Sequence, residues 1–221
     1  MNGLALDDIR IALRGSGQRL IEGLSLAIAP GEVLTVMGPS GSGKSTLIAF
    51  IGGFLDRGSF AADGRVRLDG QDLLALPAEQ RHVGVLFQEP VLFPHLSVAG
   101  NLMFGLPRAR FASRADRQSA VDEALASAGL EGFAGRDPAT LSGGQRARVA
   151  LLRTLLAQPR ALLLDEPFSK LDASLRSEFR TLVFGLARQR GLPTLLVTHD
   201  GSDAEAAQGP VVELAGEGIS A

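Results

Sequence analysis

The sequence predicts an α/β protein: a mostly parallel sheet forms its core, an antiparallel β-subdomain lies at its N-terminal end, and an α-helical subdomain is inserted in its middle. Short alternating apolar segments broken by glycines run through residues 4–28, which is typical of a small antiparallel sheet. Helical periodicity occupies residues 97–158. On both sides of that stretch, apolar strand patterns alternate with helical ones, and this alternation indicates parallel strands covered on both faces.

Individual elements follow from short apolar runs and their flanks. Strands are predicted for EVLTVMG at 32–38, VRLDG at 66–70, VGVLFQ at 83–88, ALLLD at 161–165, TLLVT at 194–198 and VVEL at 211–214. Helices are predicted for residues 44–52, 114–129 and 174–190, with a short one after Asp200. We expect a single domain over 1–221, in which 1–88 and 159–221 form the core with its β-subdomain and 89–158 form the helical subdomain.

The composition argues against several classes of protein. A formal net charge of −2 gives no indication of a surface dedicated to nucleic acid. The chain has no cysteine, which excludes disulfide bonds and thiolate metal sites. Its longest apolar stretches, such as LIAFIGGFL at 47–55, are far shorter than the ~20 residues that a membrane-spanning helix needs. We therefore expect a soluble globular chain.

The segment GPSGSGKST at 38–46 has the spacing of a phosphate-binding loop, G-x-x-x-x-G-K-[ST]. A predicted strand precedes it and a predicted helix follows it, so that backbone N–H groups and the helix N-terminus would face an anion. Lys44 would reach the β- and γ-phosphates of a nucleotide, and the Ser45 hydroxyl would ligate Mg²⁺. The alternative is that a glycine-rich loop matches this spacing by chance. The chain has only two lysines, however, and one of them occupies the position that the motif requires. The predicted nucleotide-binding residues are Gly38, Pro39, Ser40, Gly41, Ser42, Gly43, Lys44, Ser45 and Thr46.

Polar residues also follow three other predicted strands. In ALLLDEP the carboxylates of Asp165 and Glu166 emerge at a strand end, where ligands collect in such sheets. Asp165 is therefore a candidate Mg²⁺ ligand, and Glu166 is suited to orient or deprotonate an attacking water. His199 follows TLLVT, and Gln88 ends VGVLFQ. Each has an ordinary alternative, because acidic residues often open loops and histidine or glutamine often ends a strand.

A second glycine pair, in LSGGQ at 141–145, begins another predicted helix and makes a second candidate anion site. The chain resembles the ATP-binding cassette (ABC) ATPases in the ordered set of GPSGSGKST, Gln88, LSGGQ, ALLLDEP, SKLD at 169–172 and His199. This resemblance covers nearly the whole chain. Within the family, residues 86–102 are similar to importer cassettes, and residues 137–172 resemble the YnjD-type importer subunits.

The resemblance implies a P-loop NTPase with a RecA-like core, which binds ATP and Mg²⁺ and hydrolyses ATP. In that family two subunits pair head to tail, so that LSGGQ of one subunit caps the γ-phosphate held by the other. The implied catalytic residues are Glu166, His199 and Gln88, and the implied metal ligands are Ser45, Gln88 and Asp165. The residues implied to act in trans are Ser142, Gly143, Gly144, Gln145 and Asp172. Asp172 also has a simpler interpretation as the cap of the following helix.

Three functions are open to such a chain. The first is the energising subunit of an importer, peripheral on the cytoplasmic face of the inner membrane. It would pair with a second copy or a paralogous cassette in an ATP sandwich, dock on a membrane-spanning permease, and serve an external substrate-binding protein indirectly. The second is a soluble cassette ATPase that acts on nucleic acid or ribosomes, but such proteins usually carry two cassettes or a long coiled-coil insertion. The third, a non-enzymatic nucleotide-binding module, would fit a chain without Glu166 or His199. The sequence favours the importer, with no nucleic acid as partner.

Further expectations follow from the resemblance. The permease would dock near apolar residues of the insertion, whose alternative role is simply to fill the core: Phe87, Val91, Leu92, Phe93 and Phe104. Cassette ATPases stack adenine on an aromatic ring upstream of the phosphate loop, but here that segment offers Leu13, Arg14 and Arg19 instead. We expect phosphate contacts to dominate nucleotide recognition. Only AGEGISA follows the last predicted strand, so we expect no C-terminal regulatory domain.

Overall fold

The computed structural model describes residues 2–107 and 110–214. It divides the chain into two compact units, the first formed by residues 1–85, 160–166 and 184–221 and the second by residues 86–159 and 167–183. No helix within the described residues is long and apolar enough to cross a bilayer. The expectation of no C-terminal regulatory domain falls on residues 215–221, which lie outside the described part of the chain.

The strands form two sheets of different kinds. In chain order they are β1 (Leu4–Leu13), β2 (Arg19–Ile28), β3 (Val33–Met37), β4 (Phe60–Leu68), β5 (Gln71–Asp72), β6 (Val83–Leu86), β7 (Ala161–Asp165), β8 (Thr194–Thr198) and β9 (Val211–Glu213). One sheet is antiparallel, in the order β2-β1-β4-β5. The other has the order β6-β7-β8-β3-β9, with parallel pairing between β7 and β8, β8 and β3, and β3 and β9. The predicted α/β fold class is confirmed.

The described residues contain six α-helices: α1 (Lys44–Gly52), α2 (Val98–Gly105), α3 (Arg114–Ser127), α4 (Gly143–Leu156), α5 (Ala173–Gln189) and α6 (Gly201–Ala207). The second unit has its own core, in which α2, α3 and α4 bury apolar side chains such as Val98, Leu102, Val121, Val149 and Leu152. Both α3 and α4 begin with a capping box, in which a serine and the residue three positions later satisfy each other's backbone N–H.

The register of the parallel sheet brings three strand ends to one edge. The strands β3, β7 and β8 consist almost entirely of buried residues, as expected for strands covered on both faces. Met37 at the end of β3 lies opposite Thr198 at the end of β8. Asp165 at the end of β7 lies opposite Val197. The loops that follow these strands therefore leave the sheet side by side.

The C-terminal end of α1 is held by a buried arginine. Arg81 is 5% exposed, and its Nη1 donates hydrogen bonds to the backbone oxygens of Phe50 at 2.9 Å and Ile51 at 2.8 Å. Its Nε donates to the oxygen of Leu76 at 3.1 Å. The Phe50 oxygen also accepts from the N–H of the C-cap residue Gly53 at 3.3 Å, and a cation at this helix end complements the helix dipole. Arg81 thus fixes the far end of the helix that begins at the predicted phosphate loop.

Replacing Arg81 by methionine tests this role. Arg81→Met keeps the length of the side chain but removes the three hydrogen bonds that Arg81 donates to backbone oxygens, so we expect the free energy of unfolding to fall by about 2–4 kcal/mol. Urea denaturation followed by circular dichroism measures this loss. Arg65→Met is the matched control, because Arg65 is exposed and pairs only loosely with Asp7, at 3.5 Å. A change of less than about 0.5 kcal/mol for both variants would show that Arg81 is dispensable.

Candidate nucleotide-binding site

The loop between β3 and α1 turns sharply at two glycines. Gly41 and Gly43 have φ angles of 85° and 89°, a left-handed conformation that favours glycine. A Cβ atom at Gly43 would also lie only 3.0 Å from the Cβ of Leu20. Gly43 is the N-cap residue of α1, and no side chain of the described residues caps that helix end. The first N–H groups of α1 are therefore offered to an acceptor from outside the helix.

Two polar side chains of this loop are buried. Lys44 is 5% exposed, and its ammonium group donates to the backbone oxygens of Gly38 at 2.7 Å and Pro39 at 2.8 Å. Ser42 is 6% exposed, and its hydroxyl has no hydrogen-bond partner within the described residues. A buried hydroxyl without a partner costs about 1–3 kcal/mol. An outside group that accepts hydrogen bonds and carries negative charge, such as a phosphate, fits both side chains.

The rest of the predicted loop lies around this centre. Pro39 and Ser40 are exposed, and Thr46 is half-buried in the first turn of α1. Ser45 reaches the other half of the site, because its hydroxyl donates a hydrogen bond of 2.8 Å to Oδ1 of Asp165 at the end of β7. The structure thus brings together the two first-unit residues that the sequence predicts as metal ligands.

The surroundings of Asp165 oppose its negative charge. Burial raises the pKa of Asp165 above its ordinary value, and the neighbouring carboxylate of Glu166 acts in the same direction. The hydrogen bond from Ser45 and the charge of Lys44 lower the pKa but do not outweigh burial. A divalent cation bound to this carboxylate would stabilise its charged form against burial and the nearby Glu166. The described residues hold no cluster of three or more histidine or acidic side chains, so a metal here would draw its remaining ligands from phosphate oxygens and water, as Mg²⁺ commonly does.

Glu166 and His199 form the third part of this arrangement. Glu166 has a φ angle of 46°, which is unusual for a residue with a side chain, and its N–H donates to the oxygen of Val197 at 3.0 Å. Its Oε1 lies 3.1 Å from Nδ1 of His199, which follows β8. A strained backbone often marks a functional position, because the surrounding structure must hold it in place. A carboxylate and an imidazole in contact are suited to hold and move protons.

The segment of the second unit that contains Gln88 is held by residues that follow Glu166 in the chain. Nε2 of Gln88 donates to the Ser169 hydroxyl at 3.1 Å, and Glu89 forms an ion pair with Lys170. Gln88, Glu89 and Lys170 line a cavity of about 400 Å³ together with Arg146 from α4. The sequence predicts roles for Gln88 and for SKLD at 169–172 but not the contact between them, because nothing in the sequence pairs residues 81 positions apart.

The two glycines at the start of α4 have different surroundings. A Cβ at Gly144 would touch Leu175 of α5 at 3.3 Å, so this glycine serves packing within the unit. A Cβ at Gly143 would meet no other described residue within 4 Å. Ser142 and Gln145 form the capping box, in which the Ser142 hydroxyl accepts from the Gln145 N–H at 3.2 Å. A hydroxyl that accepts in this way keeps its own proton to donate to an outside group.

Asp172 caps the helix that follows it. Its Oδ1 accepts a hydrogen bond of 3.0 Å from the N–H of Leu175 in the first turn of α5. This is the simpler of the two interpretations that the sequence left open. The capping bond leaves the second carboxylate oxygen for other partners, so the proposed role in trans stays a prediction.

The hairpin between β1 and β2 shows how Arg14 is placed. Its Nε donates to the backbone oxygens of Arg57 at 2.9 Å and Phe60 at 3.2 Å. Arg19 pairs with Glu22 at 3.4 Å, and both of these side chains are exposed. Arg14 is therefore the more firmly held of the two guanidinium groups. Contact between either group and a purine base stays a prediction.

The chain is similar to known proteins over most of its length. A family model described as ABC transporter matches residues 21–169. The chain is 49% identical over 196 residues to the uncharacterized ABC transporter ATP-binding protein YnjD of Escherichia coli strain K12, with 89% of each chain covered. It is 46% identical over 200 residues to the Fe(3+) ions import ATP-binding protein FbpC of Streptomyces coelicolor, with 90% of this chain and 56% of that protein covered. It is 42% identical over 194 residues to the spermidine/putrescine import ATP-binding protein PotA of Hahella chejuensis, with 88% and 52% covered.

The chain spans about half the length of these two import proteins and most of the length of YnjD. The family match covers the phosphate loop, the LSGGQ segment and the acidic strand end. The predicted resemblance to importer-type ABC ATPases and the predicted ATPase activity are confirmed. The chain belongs to the ABC transporter family, as one of its ATP-binding and ATP-hydrolysing subunits.

Proposed function

We propose that this chain is the energising subunit of an ABC importer, peripheral on the cytoplasmic face of the inner membrane. Two copies, or one copy and a paralogous cassette, close around ATP and drive a membrane-spanning permease, with an external binding protein delivering the substrate. One observation carries the proposal: the Ser45–Asp165 and Glu166–His199 pairs stand at the edge of the sheet where the phosphate loop begins. The relatives named as import ATP-binding proteins support the direction of transport.

Nucleotide binding rests on the phosphate loop. The Lys44 ammonium group, the Ser42 hydroxyl and the free N–H groups of α1 together offer positive charge and donors to the phosphates. Ser45 and Asp165 would hold Mg²⁺, which would supply positive charge to the nucleotide phosphates. The role of Gln88 as a metal ligand stays a prediction. Because these contacts are all made to the phosphates, we expect the phosphates to contribute most of the affinity for the nucleotide.

Hydrolysis rests on Glu166 and His199. The Glu166 carboxylate accepts a proton from a water while the water oxygen bonds to the γ-phosphorus and the bond to the ADP oxygen breaks. His199 lies within hydrogen-bond distance of that carboxylate and contacts the γ-phosphate. The φ angle of Glu166 directs its side chain away from the line of β7, and the hydrogen bond from its N–H to Val197 holds that direction.

Glu166→Gln separates binding from hydrolysis. The amide keeps the shape of the side chain but is not a base, so we expect turnover to fall about 10²-fold or more while ATP still binds. Retained ATP should hold two copies together, which size-exclusion chromatography with ATP and Mg²⁺ detects as a dimer. Glu205→Gln, at an exposed position of α6, is the control and should keep wild-type turnover. A Glu166→Gln protein that binds ATP yet stays monomeric would argue against the closed dimer.

The open space above Gly143 supports action of LSGGQ on a second copy. Gly144 and the capping box serve the packing of this chain, whereas no residue in the described part of the chain lies within 4 Å of where a Cβ at Gly143 would be. Gly143 is also exposed. A phosphate held by another copy would approach the N-terminus of α4 at this point, and the Ser142 proton would be available to it.

Mixing two inactive variants tests that arrangement. Ser142→Arg places a bulky cation in LSGGQ, and Lys44→Ala removes the phosphate-loop charge. Each should lose hydrolysis alone, but a mixture should recover part of it, because both changes fall in one site of the heterodimer and leave the other site intact. A malachite-green phosphate assay measures the recovery.

The control for the mixture is Ser113→Arg, which removes the cap of α3 from an equivalent capping box. It should lower the free energy of unfolding by about 1 kcal/mol and leave the rate of ATP hydrolysis unchanged. If heterodimers form and the mixture gives only the sum of the separate activities, LSGGQ does not act in trans.

The second unit exposes apolar side chains suited to the permease. Phe87, Val91 and Phe104 are 42%, 63% and 68% exposed. The ring of Phe93 is half-buried and lies 4.6 Å from that of Phe104, and Leu92 packs on the core of the unit. Of the five residues that the sequence proposed for docking, three therefore offer exposed apolar surface, which is a common sign of an interaction site.

Phe104→Asp tests this docking surface. The side chain is mostly exposed, so a charge there should leave the thermal midpoint unchanged while the recovery of a multi-spanning membrane protein from solubilised membranes falls about 10-fold. Phe54→Asp is the control, because Phe54 is 46% exposed but belongs to the first unit. Pull-down with quantitative mass spectrometry measures both. Equal recovery with Phe104→Asp and wild type would place the docking surface elsewhere.

A further inference from the structure

The turn between β8 and α6 contains two buried polar side chains that the proposed hydrolysis does not use. Thr198, the last residue of β8, is 1% exposed, and Asp203, in the first turn of α6, is 2% exposed. The Thr198 hydroxyl donates a hydrogen bond of 2.7 Å to Oδ2 of Asp203. In a buried environment such a bond is strong, and breaking it leaves a polar group without a partner.

The Thr198 hydroxyl also connects the residue before His199 to the residue after it. It accepts a hydrogen bond of 3.1 Å from the N–H of Asp200, the residue after His199. A second bond closes the turn, because the Asp203 N–H donates to the Asp200 oxygen at 3.1 Å. Asp200 in turn caps α6 by accepting from the Ser202 N–H at 2.9 Å. The backbone before and after His199 is therefore fixed to the same helix end.

The direction of these bonds is set by chemistry. The Thr198 hydroxyl has one proton and gives it to Asp203, so that its lone pairs face the Asp200 N–H. The His199 side chain is 56% exposed, and its ring lies 3.1 Å from the Glu166 carboxylate. An exposed ring receives little direction from packing, so its direction depends on the backbone that carries it.

We propose that Thr198 and Asp203 are positioning residues for His199. They fix the turn so that the imidazole meets Glu166 and the γ-phosphate, and they act on hydrolysis only through His199. This inference rests on the proposed function of His199. A purely structural role would change stability without a specific effect on turnover.

Substitutions at the two ends of β8 separate these roles. Thr198→Val keeps the shape but lacks the hydroxyl, and Thr198→Ser restores it. Thr194→Val is the matched control: Thr194 is fully buried at the start of the same strand, and its hydroxyl donates to the Leu192 oxygen at 3.0 Å. We expect Thr198→Val to lower kcat about 10-fold with less than a twofold change in the KM for ATP. Thr198→Ser and Thr194→Val should keep kcat, although Thr194→Val should lose similar stability.

The effect should disappear in a His199→Ala background. There, adding Thr198→Val should cause no further loss of kcat, because the residue through which it acts is gone. An equal further loss in that background, or a Thr198→Val kcat within twofold of the Thr194→Val control, would overturn the proposal. If Thr198→Val fails to fold, Asp203→Asn replaces it as the test. The asparagine amide both donates and accepts, so it no longer fixes which way the hydrogen bond with the Thr198 hydroxyl runs. A lower kcat at unchanged KM supports positioning, and wild-type kcat overturns it.

A spectroscopic measurement makes the result independent of hydrolysis. The chain has three histidines, so long-range ¹H–¹⁵N spectra resolve their rings, and His199→Ala assigns the signals. We expect the His199 ring nitrogens to have the same shifts in the wild type, Thr198→Ser and Thr194→Val, and different shifts in Thr198→Val. Unchanged shifts in Thr198→Val would overturn the proposal. If His199→Ala itself keeps full kcat, the proposed function of His199 fails, and these spectra still decide whether the turn positions the ring.

Discussion

The register of three parallel strands is the constraint on which the site depends. Because β3, β7 and β8 pair so that Met37 faces Thr198 and Asp165 faces Val197, the phosphate loop, the acidic pair and His199 all begin at one edge. A shift of one residue in a strand would turn its side chains to the opposite face. The continuous apolar runs of these strands bury both faces and so hold the register. The positions of the predicted site residues are therefore a consequence of core packing.

The same edge concentrates groups that are costly to the fold. Asp165 has a raised pKa because of burial, so the fold favours its protonated form. The unfolded chain binds fewer protons at this group, so its contribution to stability falls as the pH rises above the ordinary titration range of an aspartate. Glu166 adds a left-handed backbone and Ser42 a buried hydroxyl without a partner among the described residues. Mg²⁺ would offset the cost at Asp165 and phosphate the cost at Ser42, whereas the backbone strain at Glu166 is balanced by the stability of the surrounding structure.

Much of this fold was predictable because its signals are local. Buried strands appear as continuous apolar runs, and GPSGSGKST combines a motif with the strand and helix that it needs. What the sequence could not show are contacts set by tertiary structure. The bulge in β1 at Asp8, whose φ of 50° separates the register at Leu6 from that at Ile9, leaves no apolar signal. The grouping of residues 167–183 with the second unit, and the Gln88–Ser169 bond, likewise depend on distant partners. The catalytic and trans roles of the site residues stay predictions.

The two glycines of LSGGQ show how one short motif answers two separate demands. Gly144 faces Leu175 inside its own unit, where a larger residue would press α4 away from α5. Gly143 faces open space and carries no such demand. If packing alone determined the motif, an alanine would be accepted at Gly143, since a Cβ there would meet no other described residue within 4 Å. A glycine without a packing role at an exposed helix start leaves room for a group from outside the chain. We expect that group to be the nucleotide of another copy, because this chain's own phosphate loop already serves one nucleotide.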